Sequence, residues 1–195
     1  MLFRSFKINY KDVPSSHGYA TGVYWASDKG IAAGYTGSRA GTFGVKDDIT
    51  RGQVVTFLWR AAGKPEPSTE KQLFTDVPAN HSFYKAIQWA AETGIAGGYS
   101  GSRKGQFGPS DNCTRGQIAM FLWRYLGKPE PLGTTQSFTD VPTDHKFYKG
   151  IQWAYEWKVT AGNSDGSFGI NKTCNRGSCV TFLYRMPDIF YFTEL

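Results

Sequence analysis

Three arginines occupy one position of a repeated tetrapeptide. They are Arg51 in Thr50-Arg51-Gly52-Gln53, Arg115 in Thr114-Arg115-Gly116-Gln117 and Arg176 in Asn175-Arg176-Gly177-Ser178. Thr followed three residues later by Gln is the spacing of a capping box, which starts a helix. Asn175 is also a good cap, but Ser178 is too short for the usual reach back. Each Arg therefore falls at the first helical position. A cation there opposes the helix dipole by roughly 0.3–1 kcal/mol, and no Asp or Glu follows in the first turn to offset it. Free amides at a helix start attract anions, and a guanidinium can grip a carboxylate through two parallel hydrogen bonds. The chemistry this implies is anion recognition. Two plainer readings stay open. Asp12, Asp76 or Asp140 could pair with the Arg, or could cap the turn before the preceding helix.

The elements that carry these arginines repeat as well. Asp-Val-Pro begins at Asp12, Asp76 and Asp140, a spacing of 64 residues each time, and Trp25, Trp89 and Trp153 are equivalent. The chain is three copies of one unit, assigned to residues 1–66, 67–131 and 132–195. A unit this small cannot easily bury a core alone, so the copies must stack or close on each other. In the second copy, Phe83, Ile87 and Ala90 or Ala91 recur at helical spacing, and Gly94 is the expected stop. A Gly-rich loop runs from Gly97 to Phe107. Phe107, with Phe43 and Phe168, is expected to pin that loop to the core. A second helix carries the stripe Ile118, Phe121, Leu122, Tyr125 and ends at Gly127 and Pro129. Lys64-Pro65-Glu66-Pro67 and Lys128-Pro129-Glu130-Pro131 are stiff linkers. The third copy has a loop three residues shorter and ends in Met186-Pro187-Asp188 and an aromatic tail. The fold class is all-α, with two helices per repeat and at most very short strands in the loops.

Composition narrows the function. At 40% hydrophobic and 16% aromatic the chain is not disordered. No apolar run approaches the ~18 residues of a membrane span, so no membrane insertion is expected. Met1 to Lys7 lacks the apolar core of a signal peptide. The chain is then either cytoplasmic or a module of a longer exported protein. The net charge of +6 favours acidic partners, but the basic residues are dispersed, which disfavours nucleic acid. Cys113 and Cys174 stand where the first copy has Ile49, which suggests a buried apolar position. There is no CxxC pair, and the odd count argues against a full disulfide framework. His17, His81 and His145 are equivalent and are read as local hydrogen-bonding residues rather than a zinc site. No metal or cofactor is expected. No Ser/His/Asp order, metal motif or phosphate loop is present, so the chain does not read as an enzyme.

The ordered set is distinctive: Phe-Thr-Asp-Val-Pro, a Trp-bearing helix, Gly-Gly-Tyr, a Gly-rich loop ending in Phe, then Thr-Arg-Gly-Gln. It resembles the surface-layer homology domain, from about residue 5 to 186, in three tandem copies. The resemblance implies a triplet closing into a pseudo-threefold unit, with a central three-helix bundle and three prongs. It also implies a bacterial cell-surface location, in a module of a larger surface protein. Grooves between copies would bind secondary cell-wall polysaccharide, often through a pyruvylated sugar, with the Arg meeting the ligand's acid. The family's Thr-Arg-Ala-Glu is altered here: the Glu is replaced by Gln53, Gln117 and Ser178. The shortened third loop puts the third groove most in question.

The expected carbohydrate-binding set is Arg51, Arg115, Arg176, Gln53, Gln117, Tyr35, Tyr99, Gly34, Gly98, Trp25, Trp89, Trp153, Asp12, Asp76 and Asp140. Tyr and Trp faces could stack on sugars, although a Trp repeating at helical spacing also suits a core. Gly34 and Gly98 could admit a ligand to the backbone or permit a turn. The alternative function is a protein- or peptide-interaction scaffold with altered or lost glycan binding.

Overall fold

The computed structural model describes residues 9–187. Met1 to Lys7 and the aromatic tail from Asp188 lie outside the described residues. Among those described are six α-helices: α1 Ala20–Asp28, α2 Arg51–Ala61, α3 Tyr84–Glu92, α4 Arg115–Tyr125, α5 Tyr148–Glu156 and α6 Arg176–Arg185. The loops hold only isolated β-bridges and two short 3-10 turns.

Each helix starts and stops for a local reason. Thr50 and Thr114 form complete capping boxes with Gln53 and Gln117. Asn175 accepts from Ser178 N–H without a return bond, as the shorter side chain requires. Gly30 and Gly94 end α1 and α3 with positive φ, and Lys158 takes that role after α5 at φ 57°. His17, His81 and His145 accept a backbone N–H through Nδ1 two residues on, at 3.1–3.2 Å. Each imidazole thus shapes the entry to α1, α3 or α5.

The copies do not fold side by side. The second helix of each copy packs against the first helix of the next: α2 on α3, α4 on α5, and α6 back on α1. That last contact closes the array into a ring. Crossings are tight where Gly22 meets the Thr181 backbone and Gly150 meets Met120. Val54, Leu58, Ile118, Leu122, Cys179 and Leu183 are each no more than 1% exposed. These residues lie on α2, α4 and α6, which form the inner layer. Ile49, Cys113 and Cys174 are buried just before those helices.

The linkers are held down rather than merely stiff. Trp59 and Trp123 donate Nε1–H to the carbonyls of Pro65 and Pro129. Glu92 accepts from Ser68 and Thr69, and Glu156 from Leu132 and Gly133.

Candidate functional site: three inter-repeat grooves

Each of the three arginines leaves the first turn of its helix and enters the loop of the next copy. Arg51 Nε donates to Phe107 O (3.0 Å) and Nη2 to Gly97 O (2.9 Å). Arg176 repeats this across the ring closure, to Phe43 O (3.1 Å) and Ala33 O (3.0 Å). Arg115 donates to Phe168 O (2.9 Å), but its Nη2 reaches Thr160 Oγ1 at 3.4 Å instead of a carbonyl. None of these arginines is ion-paired among the described residues. Nη1 of each has no protein partner there. Among the described residues the only buried side-chain polar atom left unsatisfied is Tyr148 Oη, so each Nη1 keeps some exposure, and Arg115 and Arg176 line clefts.

The loops cover the arginines unequally. Tyr99 lies between two guanidinium groups, with Arg51 4.7 Å and Arg103 4.1 Å from its ring centroid. Its hydroxyl donates to Asp111 at 2.9 Å, and Asp111 pairs with Arg103 at 2.7 Å. Tyr35 is arranged likewise between Arg176 (4.9 Å) and Arg39 (4.0 Å), and Arg39 pairs with Asp47. Burial, then the bond to Asp47 or Asp111, raises the phenol pKa in each case. Arg51 and Arg176 are consequently only 4% exposed. Burial pulls the Arg176 pKa down from its usual value. The third copy has Asn163 at the Tyr position. Asn163 turns to Ser167 (3.0 Å), so Arg115 lacks the tyrosine cover, keeps only Phe168 and Phe182 beside its guanidinium, and stays partly exposed. The shortened loop therefore opens this groove.

Two open clefts lie against these arginines. One, about 230 Å³, is bounded by Arg176, the Ala33–Tyr35 loop, Phe83, and Gln53, Thr56 and Arg60 of α2. The other, about 190 Å³, has the equivalent walls: Arg115, Thr160 to Gly162, Tyr19, and Ser178, Thr181 and Arg185 of α6. Each cleft thus has two arginines at its rim. Arg60, Arg124 and Arg185 form a second equivalent set that the sequence reading missed. Their signal was present in Leu58-Trp59-Arg60, Leu122-Trp123-Arg124 and Leu183-Tyr184-Arg185. Arg60 and Arg124 donate to the carbonyls of Ile31 and Ile95, whereas Arg185 is exposed.

Other expected site residues lie elsewhere. Asp12, Asp76 and Asp140 neither pair with the arginines nor cap α1, α3 and α5. Their carboxylates accept loop N–H groups: Asp12 from Phe43, Gly44 and Val45, Asp76 from Phe107 and Gly108, Asp140 from Phe168, Gly169 and Ile170. Burial pushes the Asp12 and Asp140 pKa values up, but these donors outweigh it and the net shift is downward.

The three expected tryptophans pack against the fold. Trp153 is 1% and Trp89 8% exposed. Half-buried Trp25 packs edgewise against Tyr184, and none of the three lines either cleft. Gly34 and Gly98 are needed for space. A side chain on Gly34 would meet Tyr10 and Thr42 O, and one on Gly98 would meet Phe74 and Gln106 O. Gln53 and Gln117 use Oε1 to accept the cap N–H, and of the two Gln53 lines a cleft.

The S-layer homology domain matches this chain three times, at residues 9–55, 73–119 and 137–178. An endoglucanase of Bacillus sp. (strain KSM-635) is 32% identical over 170 residues, which is 82% of this chain and 17% of that protein. A cell surface protein of Thermoanaerobacter kivui is 30% identical over 62% of this chain and 16% of its own length. A cellulosome-anchoring protein of Acetivibrio thermocellus is 26% identical over 76% of this chain and 32% of its own length. The chain thus spans about a sixth to a third of these relatives. The ring of arginine-clamped repeats and the three matches along more than half its length agree: the chain belongs to the S-layer homology domain family, in three tandem copies.

Proposed function

We propose that this segment is a non-covalent anchor, binding an anionic, pyruvate-bearing secondary cell-wall polysaccharide in its inter-repeat grooves. The observation that carries this reading is the state of the three arginines. Two nitrogens of each are tied down, none forms an ion pair among the described residues, and Arg115 and Arg176 each line a cleft. Asp111 and Asp47 act on Arg51 and Arg176 only from a distance, and Arg115 is the most exposed. A guanidinium so fixed binds a carboxylate with little ordering cost. The second arginine at the rim adds charge in the same cleft. The Arg115 groove, without a tyrosine cover, is the most accessible of the three.

Cell-wall anchoring follows from family membership and from relatives described as a cell surface protein and a cellulosome-anchoring protein. The segment is a wall-binding module of the bacterial cell surface, not a catalytic one. The endoglucanase activity belongs to the relative that carries that name, of which only 17% is shared. No helix among the described residues is long and apolar enough to cross a membrane.

The test is binding to purified cell-wall sacculi, intact and stripped of secondary polysaccharide, at two salt concentrations. Binding lost on stripping, and competed by soluble pyruvylated glycan, supports the proposal. Equal binding to both preparations overturns it in favour of a protein or peptide ligand.

A further inference from the structure

Three chain segments, one per copy, meet on the pseudo-threefold axis and exchange single main-chain hydrogen bonds in a closed ring. Cys113 N–H donates to Ile49 O (2.8 Å), Ile49 N–H to Cys174 O (2.9 Å), and Cys174 N–H to Cys113 O (3.0 Å). The neighbours bridge antiparallel: Thr50 with Asn112, Asp48 with Asn175, and Thr114 with Thr173. The Thr114–Thr173 register sets Cys113 directly opposite Cys174. Directly opposed residues of an antiparallel pair have Cα atoms about 4.5–5.5 Å apart. That falls inside the ~4.4–6.8 Å span over which a disulfide closes. Both side chains are buried, at 0% and 2% exposure. Ile49, at the third corner of the ring, shows that an aliphatic group satisfies the packing there; both cysteines are free, and the Cys174 thiol donates to Asn175 O at 3.6 Å, a contact that a bridge to Cys113 would replace.

We propose that Cys113 and Cys174 form a disulfide across the axis when the chain folds in an oxidising medium, tying the second copy to the third. These are the two copies whose arginine clamp is weakest. Arg115 lacks the second carbonyl bond and the tyrosine cover that Arg51 and Arg176 have. A cell-surface location is compatible with a persistent disulfide. The reaction is thiol–disulfide exchange with a small disulfide. One cysteine thiolate attacks it to give a mixed disulfide and one free thiol. The second cysteine then displaces the other thiol and closes the Cys113–Cys174 bond. The two reduced small-molecule thiols carry away both electrons and both protons.

Timing follows from burial. In the folded chain burial raises the Cys113 thiol pKa to about 12 and the Cys174 thiol to about 11, so almost no thiolate forms at neutral pH. The bond must close while the axis is still assembling, and afterwards it is shielded from reductant. Cys179 is also buried, but it lies on α6, outside the hydrogen-bonded ring.

The full 195-residue chain should be unfolded and reduced, then refolded with oxidised and reduced glutathione, alkylated in denaturant without reduction, and digested with trypsin. Cleavage separates the three cysteines into residues 105–115, 173–176 and 177–185. The expected product is 105–115 linked to 173–176, with Cys179 alkylated. The oxidised form should melt roughly 5–15 °C above the reduced form, and Cys113→Ser should abolish that difference. Alkylation of all three cysteines, or a bridge that includes 177–185, overturns the pairing. A bridge without a change in Tm overturns the tying role.

Discussion

Asp12 and Arg176 act on the same residue, Phe43, from opposite sides. Phe43 N–H donates to Asp12 Oδ1 at 2.7 Å, and Phe43 O accepts from Arg176 Nε at 3.1 Å. The same arrangement joins Asp76 to Arg51 through Phe107, and Asp140 to Arg115 through Phe168. In each case the acid comes from the copy that owns the loop and the base from the preceding copy. The Phe ring at the junction is fully buried. The ring of copies is thus closed by the same groups that set the groove charge, and folding and binding share the arginines.

The arginines should therefore divide by role. Removing Arg51 or Arg176 leaves two carbonyls without donors and strips a cation from its aromatic neighbours. Each change to Ala should cost about 2–4 kcal/mol, seen as a lower urea midpoint. Arg115 is partly exposed and more weakly held. Arg115→Ala should cost about 1 kcal/mol of stability but weaken glycan binding by about 1–3 kcal/mol. A folded Arg115→Ala protein with unchanged affinity for intact sacculi would sink the anion-site proposal.

The tyrosine cover gives a second expectation. Asn163→Tyr rebuilds in the third copy the residue found at positions 35 and 99, placing a ring against Arg115. Affinity for sacculi should fall several-fold while stability holds or rises slightly. Tyr99→Asn makes the reverse change. It removes two cation–π contacts, worth about 0.5–1 kcal/mol each, and should expose Arg51 to a soluble carboxylate probe. If both variants bind as the wild type does, the cover does not control access.

Much of this was legible in the residues, and the gaps have physical reasons. The capping boxes at Thr50 and Thr114 are local features, as are the stop at Gly94 and the buried Ile49/Cys113/Cys174 position. Sequence carries such features directly. The partner of each Arg is not local. Arg51 bonds a carbonyl 56 residues away, and Arg176 one 133 residues back. Main-chain carbonyls also leave no side-chain signature. The Asp residues looked like charge partners because both charges repeat in register, yet their ligands are backbone amides. Trp89 and Trp153 offered no way to separate a core ring from a sugar platform until their exposure was known. Arg60, Arg124 and Arg185 were visible as a repeat, but a basic residue in the last turn of a helix is common for dipole reasons and does not mark a site.

Acid should weaken the fold through the loop-holding carboxylates. Asp12 and Asp140 titrate below their ordinary value in the folded protein. A depressed folded pKa contributes stability that is fully present above the unfolded value, about 3.9, and is lost as pH falls through the folded value. Urea midpoints should be nearly constant from pH 7 to about 5 and fall below about pH 4. Asp12→Asn should lower stability at neutral pH and flatten that acid slope. An unchanged slope would mean that other carboxylates control acid unfolding.

Gly108 ties backbone strain to the tyrosine cover. Its φ of +72° lies in the region that costs an L side chain energy, and a Cβ there would sit 2.5 Å from Tyr99 Cε2 and closer still to the Asp111 carboxylate. Gly108→Ala should therefore destabilise by about 1–3 kcal/mol, part from the dihedral and part from the clash. The two parts are separable. In a Tyr99→Ala background the ring is gone, so the penalty should shrink toward the dihedral cost plus the contact with Asp111. A double-mutant cycle read by urea unfolding measures that coupling, expected at about 0.5–1 kcal/mol. Strict additivity would show that Tyr99 yields without cost, and that its place over Arg51 is not fixed by the loop beneath it.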